Sequence, residues 1–293
     1  MRWPRSRRSE SSRGPNNGSR HGNGVNNAKT KRGIDLIKGF VTAVRTLTII
    51  PLPGGNVNGY AAALPWFPAV GLLLALILYG IGTLWIHIGG DHWPQAGALL
   101  LLGTQVFLTR GLHLDGLADW ADAVGAHTEK TRRLSIMRDS HLGTFGVLAL
   151  LLALMAKWTA VERLIVSGAL GWLLVVLTVS RGMMVVLIST LPYARTGEGL
   201  AAPFVLAGGS KQRLIAQAVT LCVCVCFGPV GLILFSIGWL VTRLLGASFQ
   251  KGFGGITGDL LGTTNEIVEV VLLTLCAAIS MAPLPGRDWS SWI

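Results

Sequence analysis

Three aspartates near the middle of the chain have a spacing that is typical of a metal site. Asp115, Asp119 and Asp122 follow one another at i, i+4 and i+7, and on a helix with 3.6 residues per turn this puts the three carboxylates on one face. Unpaired carboxylates in such a register repel one another, and losing their hydration would add to that cost. Because Mg²⁺ prefers carboxylate and phosphate oxygens, the cluster predicts a metal–phosphate site.

The same pattern has a simpler interpretation, in which the helix face is solvated and its carboxylates pair with neighbouring arginines, Arg110, Arg132 or Arg133. The Gly, Leu, Ala and Trp residues between the aspartates argue against an ordinary exposed helix. His113 lies two residues before Asp115 and has three possible roles: general base, metal ligand, or hydrogen-bonding partner that orients Asp115.

A glycine-rich stretch near the C-terminus supplies a second polar group. Gly255, Thr257 and Gly258 precede Asp259 at the start of an apolar segment. Glycines let backbone amides approach a phosphate closely, and a helix N-terminus favours anions. We therefore expect this stretch to bind substrate and Asp259 to cap the helix or to bind metal. Glu266 and Glu269 follow, and we expect them to contribute to the same second carboxylate site.

Arginines accompany both groups. Arg138, Asp139, Ser140 and His141 are consecutive, and the guanidinium, hydroxyl and imidazole groups suit a pyrophosphate partner. Arg195 lies in the next polar stretch and is a second candidate for a phosphate clamp. Arg181 interrupts an apolar run; since an arginine inside a membrane is costly, we expect it to be functional or to neutralise one carboxylate of the aspartate cluster.

The elements that must position these residues are membrane helices. Only 13% of the 293 residues are charged and 51% are hydrophobic, whereas about a quarter of an average soluble protein is charged. The run 214–240 has no charged residue and exceeds the ~20 residues that span a bilayer. Continuous apolar runs favour helices over a barrel, whose strands alternate. We therefore predict an all-α, polytopic membrane bundle with about six to seven transmembrane helices. The expected spans are 61–88, 94–112, 142–158, 164–191, 214–232, 229–250 and 265–285.

The formal charge of +11 is concentrated in residues 1–33, which carry nine Lys or Arg and a single acid, Glu10. A segment this polar cannot fold alone, so we predict a disordered basic tail at 1–33 and a membrane-embedded catalytic domain at 34–293. Positive charge favours the cytoplasmic side, which places the N-terminus and the polar loops there. No pattern of aromatic and basic residues indicates nucleic-acid binding.

The motifs together resemble those of the cobalamin synthases, the adenosylcobinamide-GDP ribazoletransferases. The resemblance covers roughly residues 38–285. It rests on four stretches that occur in order, 111–122, 133–146, 191–200 and 254–262. Two departures are Ala123, where the family usually has glycine, and the absence of an arginine before Pro51.

The resemblance implies a Mg²⁺-dependent phosphotransfer at a bacterial inner membrane. A ribose hydroxyl of α-ribazole, or of its 5′-phosphate, attacks the cobinamide-side phosphorus of adenosylcobinamide-GDP, and GMP leaves. In this interpretation Asp115, Asp119, Asp122 and Asp259 hold the metal, and Arg138 or Arg195 clamps phosphate. Association with other corrinoid-pathway enzymes and with further copies of the chain is left open by the resemblance.

Two alternatives to this function follow from the same residues. A CDP-alcohol phosphatidyltransferase uses similar aspartates, but the dipeptide Asp119-Trp120 stands where that family places Ala-Arg. A transporter would use the acids as ion or proton sites. The clustering of carboxylates in loops, without acids in the middle of spans, speaks against it.

Overall fold

The computed structural model describes residues 36–53, 59–139, 141–196 and 199–280. The predicted tail at 1–33 therefore lies outside the described residues. Eleven α-helices occupy the described part of the chain, and it contains no β-strand, which confirms the all-α prediction. The helices are α1 (36–47), α2 (Phe67–His87), α3 (Pro94–Thr109), α4 (Leu112–Gly125), α5 (Lys130–Ile136), α6 (Thr144–Val166), α7 (Trp172–Ile188), α8 (Ala202–Ala207), α9 (Ser210–Cys226), α10 (Gly228–Phe253) and α11 (Gly258–Ile279).

Helix α7 forms the centre of the bundle. Nearly all of its side chains are buried, as expected for a helix that is apolar all round, and α2, α9, α10 and α11 pack against it. The outer faces of α6 and α10 instead expose large apolar side chains, such as Leu152 and Leu244. Exposed apolar surface of this extent is typical of a protein whose surroundings are lipid.

Four helical segments are long and apolar enough to cross a membrane: Tyr60–His87, Thr144–Val166, Gly228–Phe253 and Gly258–Ile279. The pair α3 and α4, bent by 88°, gives a fifth if it forms one broken span. Each expected span overlaps a helix, but 164–191 also takes in the end of α6, and 214–232 takes in the start of α10. The chain is a multi-pass membrane protein. The expected six or seven spans nonetheless exceed the four or five that pass this test on the described residues.

Two local features explain the difference in span number. The predicted run 164–191 is interrupted at residues 167–171, so α7 keeps only 17 residues. Gly228-Pro229 starts α10 directly after α9 ends, because proline is tolerated in the first turn of a helix but not in its interior. This confirms that the long apolar run divides there, and α9, with charges in its first turns, is left short.

Candidate functional site

A sharp turn between α3 and α4 sets the direction of the aspartate helix. Arg110 and Gly111 both adopt positive φ, 54° and 65°, a region that glycine enters freely and other residues rarely do. The amide of Gly111 donates to the carbonyl of Val106 at 2.9 Å, which closes the end of α3. The 88° bend then carries α4 back across the bundle.

Helix α4 crosses α11 closely, and this crossing brings the two polar groups together. A Cβ atom added at Gly116 would lie 2.4 Å from the carbonyl oxygen of Asp259, so only glycine allows the helices to approach so far. The hydroxyl of Thr263 donates to the carbonyl of Gly116 at 2.9 Å. As a result, Asp115 and Asp119 lie beside the first turn of α11, so the structure brings α4 and the glycine-rich stretch together.

The glycine-rich stretch leads into the first turn of α11 as the sequence predicts, but Thr257 caps the helix. The Thr257 hydroxyl accepts from the amide of Leu260 at 3.3 Å. A parallel bridge joins the stretch to residues 192–194: Ile256 donates to the Pro192 carbonyl, and Ala194 to the Ile256 carbonyl, both at 2.9 Å. Gly255 packs directly on the Pro192 carbonyl, and Gly258 lines a cavity described below.

Arg195 connects the glycine-rich stretch to the loop after α5. Its guanidinium donates to the Asp259 carboxylate at 2.7 Å and to the carbonyl of Met137 at 3.1 Å. The pair is only partly exposed, with 14% of the Arg195 side chain and 22% of the Asp259 side chain accessible. Arg195 therefore lies next to Asp259, and its role as a phosphate clamp stays a prediction.

The aspartates carry more negative charge than the nearby arginine can neutralise. Asp119 is acted on by the charges of Asp115, Asp259 and Asp122, and by one opposite charge, that of Arg195. Carboxylate oxygens in excess of cations are the donor set that Mg²⁺ prefers, so the chemistry of the site fits this metal. In the described residues no three Asp, Glu, His or Cys side chains are already gathered as ligands, so binding would require their carboxylates to turn toward a common point.

Asp122 has a structural contact that the sequence pattern did not indicate. One of its oxygens accepts from the amide of Gly143 and the other from the amide of Gly146, each at 2.8 Å. These amides belong to the N-terminus of α6, where the first N–H groups have no partner within the helix. Asp122 thus caps α6 from α4, and each oxygen keeps a lone pair for a cation.

The loop before α6 holds the remaining predicted substrate residues. Arg138 and Asp139 are exposed, and Ser140 lies outside the described residues. Asp139 accepts from the ring Nδ1 of His141 at 2.5 Å. This hydrogen bond holds the pKa of Asp139 below its usual range and raises the pKa of His141. Asp139 is therefore engaged with its own loop.

Glu266 and Glu269 belong to a separate buried group, which corrects the expectation that they join Asp259. Lys157 of α6 lies 2.5 Å from Glu266 and 2.6 Å from Glu269, and Arg181 of α7 pairs with Glu269. Gln105 donates to Glu269 at 2.7 Å. We refer to Lys157, Arg181, Glu266 and Glu269 as the buried quartet; its two cations and two anions balance.

The buried quartet corrects two further expectations. Arg181 neutralises Glu269 and not a carboxylate of the aspartate cluster. The premise that the spans lack internal acids is also wrong, since Glu266 and Glu269 lie inside α11 and are at most 3% exposed. Lys157 was missed by the sequence analysis, although a single lysine in an apolar segment is the same signal that singled out Arg181.

His113 makes no hydrogen bond to Asp115 in the structure, so the interpretation in which it orients that carboxylate is not supported. Its ring is 3% exposed, and both nitrogens are without a hydrogen-bond partner among the described residues. Arg181, Glu266 and Lys157 act on it electrostatically, so it lies between the quartet and the aspartate cluster.

Two cavities meet at Asp115. The larger, of about 1520 Å³, is lined by α1, the α3–α4 turn and α8. The smaller, of about 130 Å³, lies between α4, α7 and the start of α11. Thr42, Arg45 and Thr46 of α1 line the larger cavity. Nothing in the sequence pattern indicated a role for them.

Comparison with known proteins shows the family. The family model described as cobalamin-5-phosphate synthase matches residues 39–277. The adenosylcobinamide-GDP ribazoletransferase of Prosthecochloris aestuarii is 37% identical over 248 residues, 83% of this chain and 98% of its own length. The enzyme of the same name from Chlorobaculum parvum is 38% identical over 256 residues, which are 83% of this chain and 96% of its own length. The enzyme of the same name from Syntrophobacter fumaroxidans is 37% identical over 249 residues, which are 82% of this chain and 98% of its own length. No solved structure matches this chain significantly.

Proposed function

This chain belongs to the cobalamin-5-phosphate synthase family, and we propose that it is the adenosylcobinamide-GDP ribazoletransferase of its organism. The relatives of that name are similar over 96–98% of their own length. The observation in the structure that supports the assignment is the group of carboxylates at the crossing of α4 and α11, with Arg195 beside it.

The proposed reaction is a displacement at phosphorus. A ribose hydroxyl of α-ribazole, or of its 5′-phosphate, forms a bond to the phosphorus attached to cobinamide. The bond from that phosphorus to the bridging oxygen breaks, and GMP leaves with the electron pair. The hydroxyl proton passes to a carboxylate of the site or to water. The cobamide, or its 5′-phosphate, is the second product.

The residues of the chain would act mainly by position and charge. When bound, Mg²⁺ supplies the positive charge that a displacement at a pyrophosphate needs. Asp115, Asp119 and Asp259 are proposed to hold it, with Asp122 as a fourth predicted ligand that also caps α6. Arg195, now paired with Asp259, is close enough to the carboxylates to turn to a substrate phosphate.

The setting of the reaction is also proposed. The basic residues concentrated before α1 favour a cytoplasmic N-terminus, and the guanosine nucleotide is a cytoplasmic substrate class. We therefore place the enzyme in the bacterial inner membrane, with the aspartate cluster facing the cytoplasm.

The direct test is to incubate the detergent-purified protein with adenosylcobinamide-GDP and α-ribazole and to measure GMP and cobamide by chromatography. We expect both products in equal amounts, and we expect EDTA and Asp115→Asn each to abolish them. Glu129→Gln, an exposed acid outside the site, is the matched control and should keep full activity.

Two results would contradict parts of the proposal. If EDTA does not affect product formation, the proposed metal is wrong and the proposed reaction stands. If the protein forms no product although it unfolds cooperatively on heating, and so is folded, the proposed reaction is wrong.

A further inference from the structure

The two cavities that meet at Asp115 differ in size and in chemistry, and these differences assign the substrates to them. Both are lined by Leu112, Asp115 and Phe204. A bimolecular displacement needs two reactants that approach one point from different sides. Two cavities that share a carboxylate wall provide such an approach.

The smaller cavity has the dimensions and walls of a pocket for an aromatic ring. Its volume is about 130 Å³, and an apolar cavity of about 150 Å³ accommodates benzene. Phe67, Met184 and Ile188 form its apolar side, and each is at most 4% exposed. Such a space is far below the roughly 300–1,000 Å³ of pockets for drug-sized ligands, so it can hold one aromatic ring of a base, with the rest of the nucleoside outside it.

The polar end of the smaller cavity contains a side chain without a partner. His113 lines the cavity with both ring nitrogens buried and unpaired within the described part of the chain. Buried polar groups are nearly always hydrogen-bonded, so one that is not needs an explanation. Asp259 and Arg195 line the same cavity. A ligand with an apolar ring, and with a hydroxyl or ring nitrogen beside it, would satisfy His113.

The larger cavity has the opposite character. Its volume of about 1520 Å³ exceeds the range for drug-sized ligands. Arg45 and Arg110 line it together with the hydroxyls of Thr42, Thr46 and Thr109. Cationic and hydroxyl groups suit phosphates and the many carboxamides of a corrinoid.

We propose that the smaller cavity binds an aromatic ring of the base of the nucleoside substrate, with His113 hydrogen-bonded to that nucleoside, and that the larger cavity binds the corrinoid nucleotide. This rests on the proposed function. In this assignment Met184, Ile188 and Ala201 limit the size of the base of the nucleoside, and His113 is a binding residue for that nucleoside.

The test compares wall variants of the two cavities. Ala201→Leu fills the smaller cavity and Ile188→Ala enlarges it; neither residue lines the larger one. Leu150→Ala is the matched control, because Leu150 lines only the larger cavity. For each variant, KM and kcat are measured separately for adenosylcobinamide-GDP and for nucleosides whose benzimidazole carries no methyl group or two.

We expect Ala201→Leu to lower kcat/KM for the dimethylated nucleoside by about tenfold relative to the unmethylated one, since one methylene in an apolar pocket is worth about 10-fold or more. Ile188→Ala should reverse that preference. Both should leave KM for adenosylcobinamide-GDP unchanged. Leu150→Ala should change only the KM for adenosylcobinamide-GDP. The assignment would be overturned if neither wall variant changed the preference between the two nucleosides, or if Leu150→Ala changed that preference instead.

His113→Phe provides an independent arm. It should raise KM for the nucleoside at least tenfold and leave KM for adenosylcobinamide-GDP unchanged. An unchanged nucleoside KM would overturn the role of His113. Thermal unfolding in detergent identifies any variant that fails to fold. If the unsubstituted protein forms no GMP with any pair of substrates, the proposed function fails; if it is active and the KM values do not separate, only the present assignment fails.

Discussion

At the scale of single residues, the aspartates of α4 differ in what surrounds them. Asp119 is the one on which the charges of Asp115, Asp259 and Asp122 all act, whereas Asp122 has an amide partner for each oxygen. A cation in the cluster would therefore relieve most repulsion at Asp119. Asp115 instead lines both cavities, so in the proposed arrangement it would lie beside both substrates.

We predict that Asp119→Asn lowers kcat by about 10²-fold or more, as expected when one preorganised electrostatic group is lost. Initial rates of GMP release at limiting and saturating Mg²⁺ measure the effect, and the defect should be larger at limiting Mg²⁺. Glu129→Gln serves as the control. Near-normal turnover of the variant at limiting Mg²⁺ would contradict ligation by Asp119.

A second prediction concerns Lys157 in the buried quartet. Lys157→Ala leaves Glu266 and Glu269 with one cation between them, and breaking a buried ion pair costs about 3–5 kcal/mol of unfolding free energy. Denaturation of the detergent-solubilised protein measures this loss. Lys211→Ala, at an exposed position in the first turn of α9, should change stability by less than about 0.5 kcal/mol. Equal effects of the two substitutions would show that the quartet is not a stabilising unit.

At the scale of helices, the distance between α4 and α11 decides whether the site exists. Gly116→Ala would place a methyl group 2.4 Å from the backbone of Asp259, so the helices must separate. We expect loss of most activity and a lower melting temperature. Gly103→Ala, in α3 with no atom within 4 Å of the added methyl group, should keep full activity, because alanine favours a helix over glycine. A fully active Gly116→Ala variant would contradict the importance of this crossing.

The junction of α4 and α6 gives a further prediction. Asp122→Ala removes the acceptors of two amides at the start of α6, and loss of a cap costs about 0.5–2 kcal/mol. Asp122→Asn retains one carbonyl acceptor and should be less destabilised. Melting temperatures of the two variants check this order. If neither variant melts lower than the unsubstituted protein, the contact does not stabilise α6.

At the scale of the whole molecule, charge predicts orientation. The tail at 1–33 contains nine of the 25 Lys and Arg residues, and positive charge is retained on the cytoplasmic side. Trypsin should therefore remove the tail in inverted inner-membrane vesicles and leave it intact in right-side-out vesicles. Cleavage in the right-side-out vesicles alone would reverse the proposed orientation.

The sequence predicted the membrane bundle because long apolar runs need no tertiary information. It also predicted that the aspartates of α4 share one helix face and that Asp259 stands at a helix start, since helical spacing and a helix start are local features. That Asp259 joins the aspartates of α4 followed only from the resemblance. It could not place Glu266 and Glu269, which lie two turns or more beyond Asp259 and so point deep into the bundle. Their partners Lys157 and Arg181 come from other helices, and only the packing of α6, α7 and α11 brings them together.

The buried quartet has a consequence for how the chain enters the membrane during synthesis. Lys157 and Arg181 belong to α6 and α7, but both acids that neutralise them lie on α11, the last described helix. An uncompensated charge at the centre of a span costs about 2.5–3.5 kcal/mol on insertion. While the ribosome completes the remaining segments, α6 and α7 each carry that cost unrelieved. We therefore expect a nascent chain that stops before α11 to keep two unneutralised cations in lipid and to be a substrate for membrane proteases.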